Sequence, residues 1–411
     1  MTIMSGKATS KPCLNFVNQV GKTITMGAAA TQTGALWNTQ TMAFAAQSKK
    51  RESLREREDR RRELSNLMES WQCTVGFEFH VQMNTRHKMF STSLNNTGEE
   101  PNTHANFVDL GLPGMLPVLN EECLDLAIKA SLALGGRILP QIKFDRKHYV
   151  YADLPQSYQI TQKHYPIMKD GRLFFYDYKE NENHILIERI QMEQDTAKSI
   201  YQGNKVLIDY NRAGMPLLEI VTSASPTHPN DAKLIVRELQ EMLKTLGISE
   251  AQIENGQLRV DVNLSVQGEK NESPRVEIKN VAGSKNVERA VEFEYRRHID
   301  MLSRGEVPLP ETRRYEADND RTVTLRVKEE EPDYRFFQDP DLPQITVTNE
   351  RISKIHGILG EIPFEVKKRF CNQFGMDVRD VKNVFRNPWS IEMFTRLVWS
   401  LQIDPKLVYK W

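Results

Sequence analysis

The sequence predicts an α+β fold centred on an antiparallel sheet, and two features of the 411-residue chain carry that expectation. Period-2 alternation of apolar and polar residues recurs in several segments, and a few long amphipathic helices are interleaved with them, which favours α+β over a doubly wound sheet. The first strand is Thr74–Gln82, where Val75, Phe77, Phe79 and Val81 alternate with Gly76, Glu78, His80 and Gln82. Such a strand has one apolar and one polar face, so its sheet buries one side and leaves the other to solvent or a ligand. Leu258–Val266 repeats the pattern, with Leu258, Val260, Val262, Leu264 and Val266 opposite Arg259, Asp261, Asn263 and Ser265. Its expected partner is Arg275–Lys279, where Glu277 and Lys279 flank Ile278.

Helix signals are fewer. Asn120 can cap a helix from Glu121 toward Leu134, ended by Gly135 and Gly136. Pro229–Leu246 places Ala232, Ile235, Val236, Leu239, Met242, Leu243 and Leu246 on one stripe. Ser284 is the expected cap of a third helix, with Val287, Val291, Tyr295, Ile299 and Leu302 along one face. After Pro343 the pattern is helical, from Asn349 to Trp411, so the expected organisation is a sheet-based unit over 71–345 and a helical unit over 346–411.

Residues 1–50 hold no Asp or Glu, five Lys and eleven Ser or Thr. That is the composition of an organelle transit segment, with an ordinary tail as the alternative. Residues 51–70 are a mixed charge run with Glu56 and Arg60, and Glu58 and Arg62, at helix-supporting spacing. They read as a solvated helix or linker, or as an Arg-rich arm for a nucleic acid.

Lys plus Arg and Asp plus Glu both number 55, so no whole-chain basic field selects a polyanion and only a local patch could. No apolar run approaches ~18 residues, so no membrane-spanning helix and no membrane insertion are expected. Cys13, Cys73, Cys123 and Cys371 stand far apart without a CxxC pair, which excludes a disulfide scaffold and a Cys-based zinc site. GxxxxGK[ST] and GxGxxG are absent, so any nucleotide is held without a P-loop or a Rossmann turn.

Three groups of residues could carry chemistry. Glu78 and His80 leave one strand face ~6.7 Å apart and could meet one cation or one phosphate, or could be two polar residues on a wet sheet face. Glu193, Asp195, Arg259, Asp261, Glu277 and Lys279 keep them company, and Glu219 lies inside the aliphatic run Pro216–Val221. A carboxylate between Leu218 and Ile220 is costly to bury unless a cation or donors meet it, and oxygen ligands suit Mg²⁺. The second group runs from Phe144 through Arg146, Lys147 and Tyr149 to Gln159, either a site for phosphates and a base or a surface turn. The third is Arg326, Lys328, Glu329 and Asp333 to Phe337, either a site or a salt-bridged edge.

The segments VGFEFHVQ (75–82), EPN (100–102), GLPGMLPVLN (111–120), KFDRKHY (143–149), DLPQSYQI (153–160), DYNRAGMPLLEIV (209–221), ETRR (311–314) and RVKEEEPDYRFF (326–337) resemble the B subunit of glutamyl-tRNA(Gln) amidotransferase, the GatB family, in the family's order. The resemblance covers Trp71 to Trp411. It implies an antiparallel-sheet cradle related to glutamine synthetase, followed by a helical domain and a tail domain. It also implies phosphorylation of the γ-carboxylate of Glu on tRNA(Gln) with ATP and Mg²⁺, then displacement of phosphate by ammonia. Ammonia would come from an amidase partner, the A subunit, with a Ser-Ser-Lys site, and a small C subunit would complete a heterotrimer. The mitochondrial type implies the mitochondrial matrix. Carried over by position, Glu78, His80 and Glu219 match the metal and phosphate site, and Lys147 lies by the ammonia route. Arg146, Lys147, Arg259, Asp261 and Lys279 are the expected cofactor-binding residues.

Departures from the family pattern refine these expectations. Ser91, Ser93, Asn106 and Asp109 or their neighbours stand at the zinc-cysteine positions of some members, so no zinc is expected. The pattern Arg-x-His-Met/Leu-Glu-Glu-Asp-Ala-Gly-Lys reads Arg189 to Lys198 here, with Gln191 for the His and Gln194 for the second Glu. Gln156 replaces a usual Lys, and losing both charges is neutral, so Gln156 and Gln194 are expected to face each other along the ammonia route in a hydrogen-bonded contact, with independent drift at two exposed sites as the alternative. The chain reaches Trp411 within the implied helical domain, so the tail domain is expected to be missing. The rival readings are a catalytically silent scaffold of the same complex and an Asp-tRNA(Asn) amidotransferase.

Overall fold

The computed structural model describes residues 54–96, 98–327, 333–385 and 388–409. The transit segment expected at 1–50 lies outside them, as do residues 328–332 of the third candidate group.

Helix α1 (Leu54–Ser70) occupies much of the expected charge run. It is more than a solvated linker, because Leu64 is fully buried and Leu67 and Met68 pack on the core. Its polar side is tied down as well, by Glu63 to Arg296 at 2.6 Å and Arg60 to Glu292 at 3.3 Å. Strand β1 (Gln72–Gln82) follows at once and lies in the interior of the main sheet. Two short strands, β2 (Asp145–His148) and β3 (Tyr158–Thr161), pair with each other, and Phe337–Gln338 adds to β2. The other longer strands of the main sheet are β4 (Met168–Tyr176), β5 (Glu182–Gln194), β6 (Pro216–Thr222), β7 (Leu258–Gln267), β8 (Val276–Lys279), β9 (Glu311–Glu316) and β10 (Arg321–Val327), and Lys198–Gln202 pairs with Lys205–Asp209 in a hairpin outside it.

The main sheet runs in the order β10, β9, β8, β7, β1, β6, β5, β4 and Arg137–Ile138, with Ser225–Pro226 pairing the start of β1. Every pairing is antiparallel except β8 with β9. That one parallel pair needs a crossover, and helix α4 (Ser284–Ser303) supplies it. The apolar face carries Phe77, Phe79, Leu218, Ile220, Val260 and Val262, all buried. Helix α2 (Glu121–Ala133) packs on β5, α3 (Pro229–Thr245) on β4 and α4 on β7, so the helices sit against the sheet and each other. The opposite face keeps its polar residues and carries the site.

Two helix starts test the capping logic. Asn120 caps α2 as expected, its side chain accepting from the Glu122 N–H at 3.0 Å. Ser284 does not cap α4: Gly283, at φ +93°, is the capping residue, and Ser284 is the first helical residue, its hydroxyl accepting from Arg237 Nε. The glycine is needed there because few side-chain-bearing residues adopt that φ.

Beyond the sheet, α5 (Asn349–Gly357) packs on α2 and buries Ile355 in the main core. A separate small core forms from α6 (Pro363–Phe374), α7 (Val378–Val384) and α8 (Pro388–Thr395), around Phe370, Val381, Phe385 and Phe394. Buried Lys367 joins α6 to α3 through Glu238 at 2.8 Å and Glu241 at 2.9 Å. No described helix is long and apolar enough to cross a membrane.

Candidate active site

Register decides which polar side chains meet. In the antiparallel pair β1 and β6, His80 stands opposite Glu219, and on the other side of β1, Glu78 faces Asp261 and His80 faces Arg259. Between β6 and β5, Glu219 faces Gln191. Directly opposed residues share a sheet face with Cβ atoms ~5 Å apart, so residues more than 100 positions apart in sequence become neighbours.

Glu78, His80 and Glu219 each place a ligand atom within 4.8 Å of the others. His80 Nε2 lies 3.6 Å from Glu78 Oε1 and 4.0 Å from Glu193 Oε1. Glu78 and Glu219 line a cavity of about 620 Å³ together with Lys147, Lys163, Arg189, Lys279 and Arg326, and His80 sits beside them, outside the lining. Burial pushes the Glu219 carboxyl well above the usual carboxylate range, and the charges of Glu193 and Glu78 push the same way against Lys147 and Arg189. A buried carboxylate among carboxylates is what a bound cation would relieve.

The cationic wall is built in two ways. Burial works against the charge of Lys279, yet Asp261 at 3.3 Å and Glu277 at 2.9 Å outweigh it and hold its pKa above the ordinary lysine value. Lys147 has no carboxylate within ion-pair reach among the described residues; its ammonium lies over the Tyr334 ring at 4.9 Å and the Tyr149 ring at 5.8 Å. A cation seated on aromatic faces and not in an ion pair remains available to an anionic ligand.

The expected cofactor residues divide. Lys147 and Lys279 line the cavity, whereas Arg146, Arg259 and Asp261 are not among its lining residues. Arg146 is held by Asp339 and Asp341, each at 2.8 Å, and stacks on the Tyr158 ring. Arg259 donates to Asp195 at 2.9 Å, and Asp261 receives Lys279 and the Asn280 N–H. Gln156 and Gln194 both line a small separate cavity of about 20 Å³ with Asp109 and Asp195. That is room for about one water. The two residues therefore share one cavity wall, and no hydrogen bond joins their amides among the described residues.

The site has further neighbours that sequence reading either left out or, like Gln159, placed only at the end of the second group. Gln159 accepts from Tyr149 OH at 3.0 Å and donates to Glu193 Oε1 at 2.7 Å, which braces the carboxylate beside His80. Gln191 donates to Glu219, and Lys163 and Arg189 line the cavity. The alternation of Arg189, Gln191 and Glu193 with Ile190 and Met192 was the signal that could have found the β5 members. At the expected zinc-cysteine positions, Ser91 Oγ and Ser93 Oγ donate to Asp109 at 2.8 and 2.6 Å, the Asn106 N–H donates at 3.0 Å, and fully buried Lys88 pairs with Asp109 at 3.3 Å.

The GatB/GatE catalytic domain family matches residues 73–353, the span that contains the sheet and every member of the cluster. This chain belongs to that family. Among relatives of this GatB chain, the B subunit of the mitochondrial glutamyl-tRNA(Gln) amidotransferase of Naegleria gruberi is 37% identical over 362 residues, covering 84% of this chain and 70% of the relative. The B subunit of the aspartyl/glutamyl-tRNA(Asn/Gln) amidotransferase of Rickettsia typhi is 38% identical, covering 83% and 71%. The corresponding mitochondrial glutamyl-tRNA(Gln) protein of Dictyostelium discoideum is 42% identical over 320 residues, covering 76% and 60%.

Proposed function

We propose that this chain is the B subunit of an amidotransferase that converts Glu-tRNA(Gln) to Gln-tRNA(Gln), using ATP to phosphorylate the γ-carboxylate of the tRNA-bound Glu before ammonia displaces the phosphate. The observation that carries the reading is the convergence of Glu78, His80 and Glu219 beneath a cation-lined cavity on the open face of the sheet. On this reading the sheet is a cradle of the glutamine-synthetase kind.

The donor set fits Mg²⁺. Ligand atoms at about 2.1 Å from one Mg²⁺ lie about 3.0 Å apart when adjacent and about 4.2 Å apart when opposite, so side-chain rotations that draw these three together would place them on one ion. When bound, the ion would neutralise and orient the transferring phosphoryl group. Glu78, His80 and Glu219 would hold the ion, and Lys147, Lys163, Arg189 and Lys279, which line the cavity, would meet the phosphate oxygens. The main sheet fixes Glu78, His80, Glu219, Arg189 and Lys279 in place, which favours in-line attack by the weak carboxylate nucleophile. Partial burial of the floor limits water, the competitor of ammonia for the activated acyl group.

Two partners complete the assembly on this reading: an amidase, the A subunit, which releases ammonia from glutamine, and a small C subunit. Ammonia would arrive past Lys147, Gln156 and Gln194. The catalytic reading is favoured over a silent scaffold because Gln194 lines the small cavity, whereas Glu193 lines the large one. The family change at 194 therefore leaves the donors in place. The names of the Naegleria and Dictyostelium relatives and the acid-free segment 1–50 support a mitochondrial location in the matrix.

The test is conversion of Glu-tRNA(Gln) by the assembled complex. Glu219→Gln is expected to abolish ATP-dependent conversion while the subunits still co-elute, and conversion at the parental rate would overturn the reading. Running Asp-tRNA(Asn) in parallel decides whether the same site also serves that substrate, as the name of the Rickettsia relative includes.

A further inference from the structure

We infer that Gln191 is a positioning residue that commits one carboxylate oxygen of Glu219 to a hydrogen bond and leaves the other for a cation, with Arg189 locking Gln191 in that role. This rests on the cation-site reading of Glu78, His80 and Glu219.

Gln191 and Glu219 are direct register partners on β5 and β6, and both are buried. Gln191 Nε2 lies 2.5 Å from Glu219 Oε2 and 3.2 Å from Thr161 Oγ1. A glutamine amide alone could face either way, since its oxygen accepts and its nitrogen donates. Arg189 removes the ambiguity: its Nε, which can only donate, lies 3.0 Å from Gln191 Oε1. The oxygen must therefore face Arg189 and the NH₂ must face Glu219. Arg189 is itself anchored, its Nη1 lying 2.5 Å from Glu188 Oε1.

The consequence for Glu219 is specific. With Oε2 engaged by an N–H, Oε1 is the oxygen better placed to meet a cation, and such one-oxygen binding leaves more of the ion's coordination sphere for phosphate oxygens. A neutral amide achieves this without competing with the ion, whereas a Lys or Arg in the same place would repel it. Fixing the carboxylate also lowers the ordering cost of binding, the usual action of groups that orient metal ligands.

The probe is Mn²⁺, followed by electron paramagnetic resonance and calorimetry on the full chain in its assembly, without nucleotide. Glu219→Gln marks the site by its loss of bound Mn²⁺. Gln191→Met, which keeps the shape and removes the donor, is expected to weaken Mn²⁺ binding ~10–100-fold, the range typical of such orienting groups. Gln191→His, the residue of the family pattern, restores an N–H donor and should recover most of that affinity, a rescue that a purely packing role does not produce. If Gln191→Met proves unfolded by circular dichroism, Gln191→Asn, one methylene too short to reach Glu219, replaces it with the same expected weakening. Parental Mn²⁺ affinity in the folded Met or Asn variant, with Glu219→Gln still defective, overturns the positioning role alone. Equal Mn²⁺ binding by the parent and Glu219→Gln overturns the cation site and the inference with it.

Discussion

Replacing Asp231 by Asn should stabilise the protein, and only on the alkaline side. Asp231 sits in the first turn of α3, almost fully buried, with its Oδ1 accepting from the Tyr178 N–H at 2.8 Å. Burial lifts its pKa from 3.8 to about 7, with the Tyr178 N–H pulling down and Asp177 pushing up. An acid whose pKa is raised by folding favours the neutral form, so its contribution is fully present below pH 3.8 and is lost as pH rises through about 7. A shift of about 3 units corresponds to an upper bound of about 4 kcal/mol, and relaxation and water entry are expected to leave about 1–2 kcal/mol. Asn keeps the carbonyl that accepts from Tyr178 and cannot ionise. The neighbouring His228, whose ring stacks on Tyr178 at 3.9 Å, is held neutral by burial with its pKa lowered to about 4, but its titration is common to both proteins and cancels in the comparison. Urea unfolding at pH 5 and pH 8 measures the effect: the gain from Asn should be small at pH 5 and about 1–2 kcal/mol larger at pH 8. A gain, or a loss, of the same size at both values would refute the reasoning.

Three further substitutions test other parts of the frame. Lys88→Met strands the buried Asp109 carboxylate with only its Ser91, Ser93 and Asn106 donors. It should cost about 3 kcal/mol in urea unfolding, and adding Asp109→Asn should recover a good part of that. Gly214 has φ +77°, and a Cβ there would lie 2.9 Å from Asp109 Oδ1. Gly214→Ala should therefore lower the melting temperature with a loss of about 1–3 kcal/mol. Lys367→Met removes the buried cation between Glu238 and Glu241. It should cost about 3–5 kcal/mol in urea unfolding and speed limited proteolysis between α5 and α6 relative to the parent.

The parts of this protein that were legible in its sequence are those set by local pattern. Strand β1 and strand β7 were readable because one face of the sheet is covered by helices and the other is not, so alternation was preserved residue by residue. Glu219 was readable because a carboxylate inside Pro216–Val221 breaks an aliphatic run. What local pattern does not contain is the identity of a distant partner. Arg146 looked like a phosphate ligand beside aromatic residues, yet Asp339 and Asp341, 193 and 195 positions away, neutralise it. Gln159 was read only as the end of the second group and Gln191 only as a departure from the family pattern, because the role of an uncharged amide shows only once its partner is known. The cap of α4 was misplaced by one residue for a smaller reason: Ser is a strong capping residue, but the chain turns into the helix at a φ that only Gly283 meets easily.

The interior position of β1 has a consequence for how the protein is made. The strand emerges early, but both of its long neighbours, β6 and β7, are encoded far downstream. Glu219 follows Glu78 by about 140 residues and Arg259 follows His80 by about 180, so at ~5–20 residues per second the ribosome delivers them roughly 7–40 s later. Throughout that interval β1 offers two unpaired edges and the apolar face of Val75, Phe77, Phe79 and Val81, the kind of surface on which chains aggregate. A nascent chain stalled before residue 216 should therefore bind holdase chaperones persistently, and one extended past residue 267 should release them.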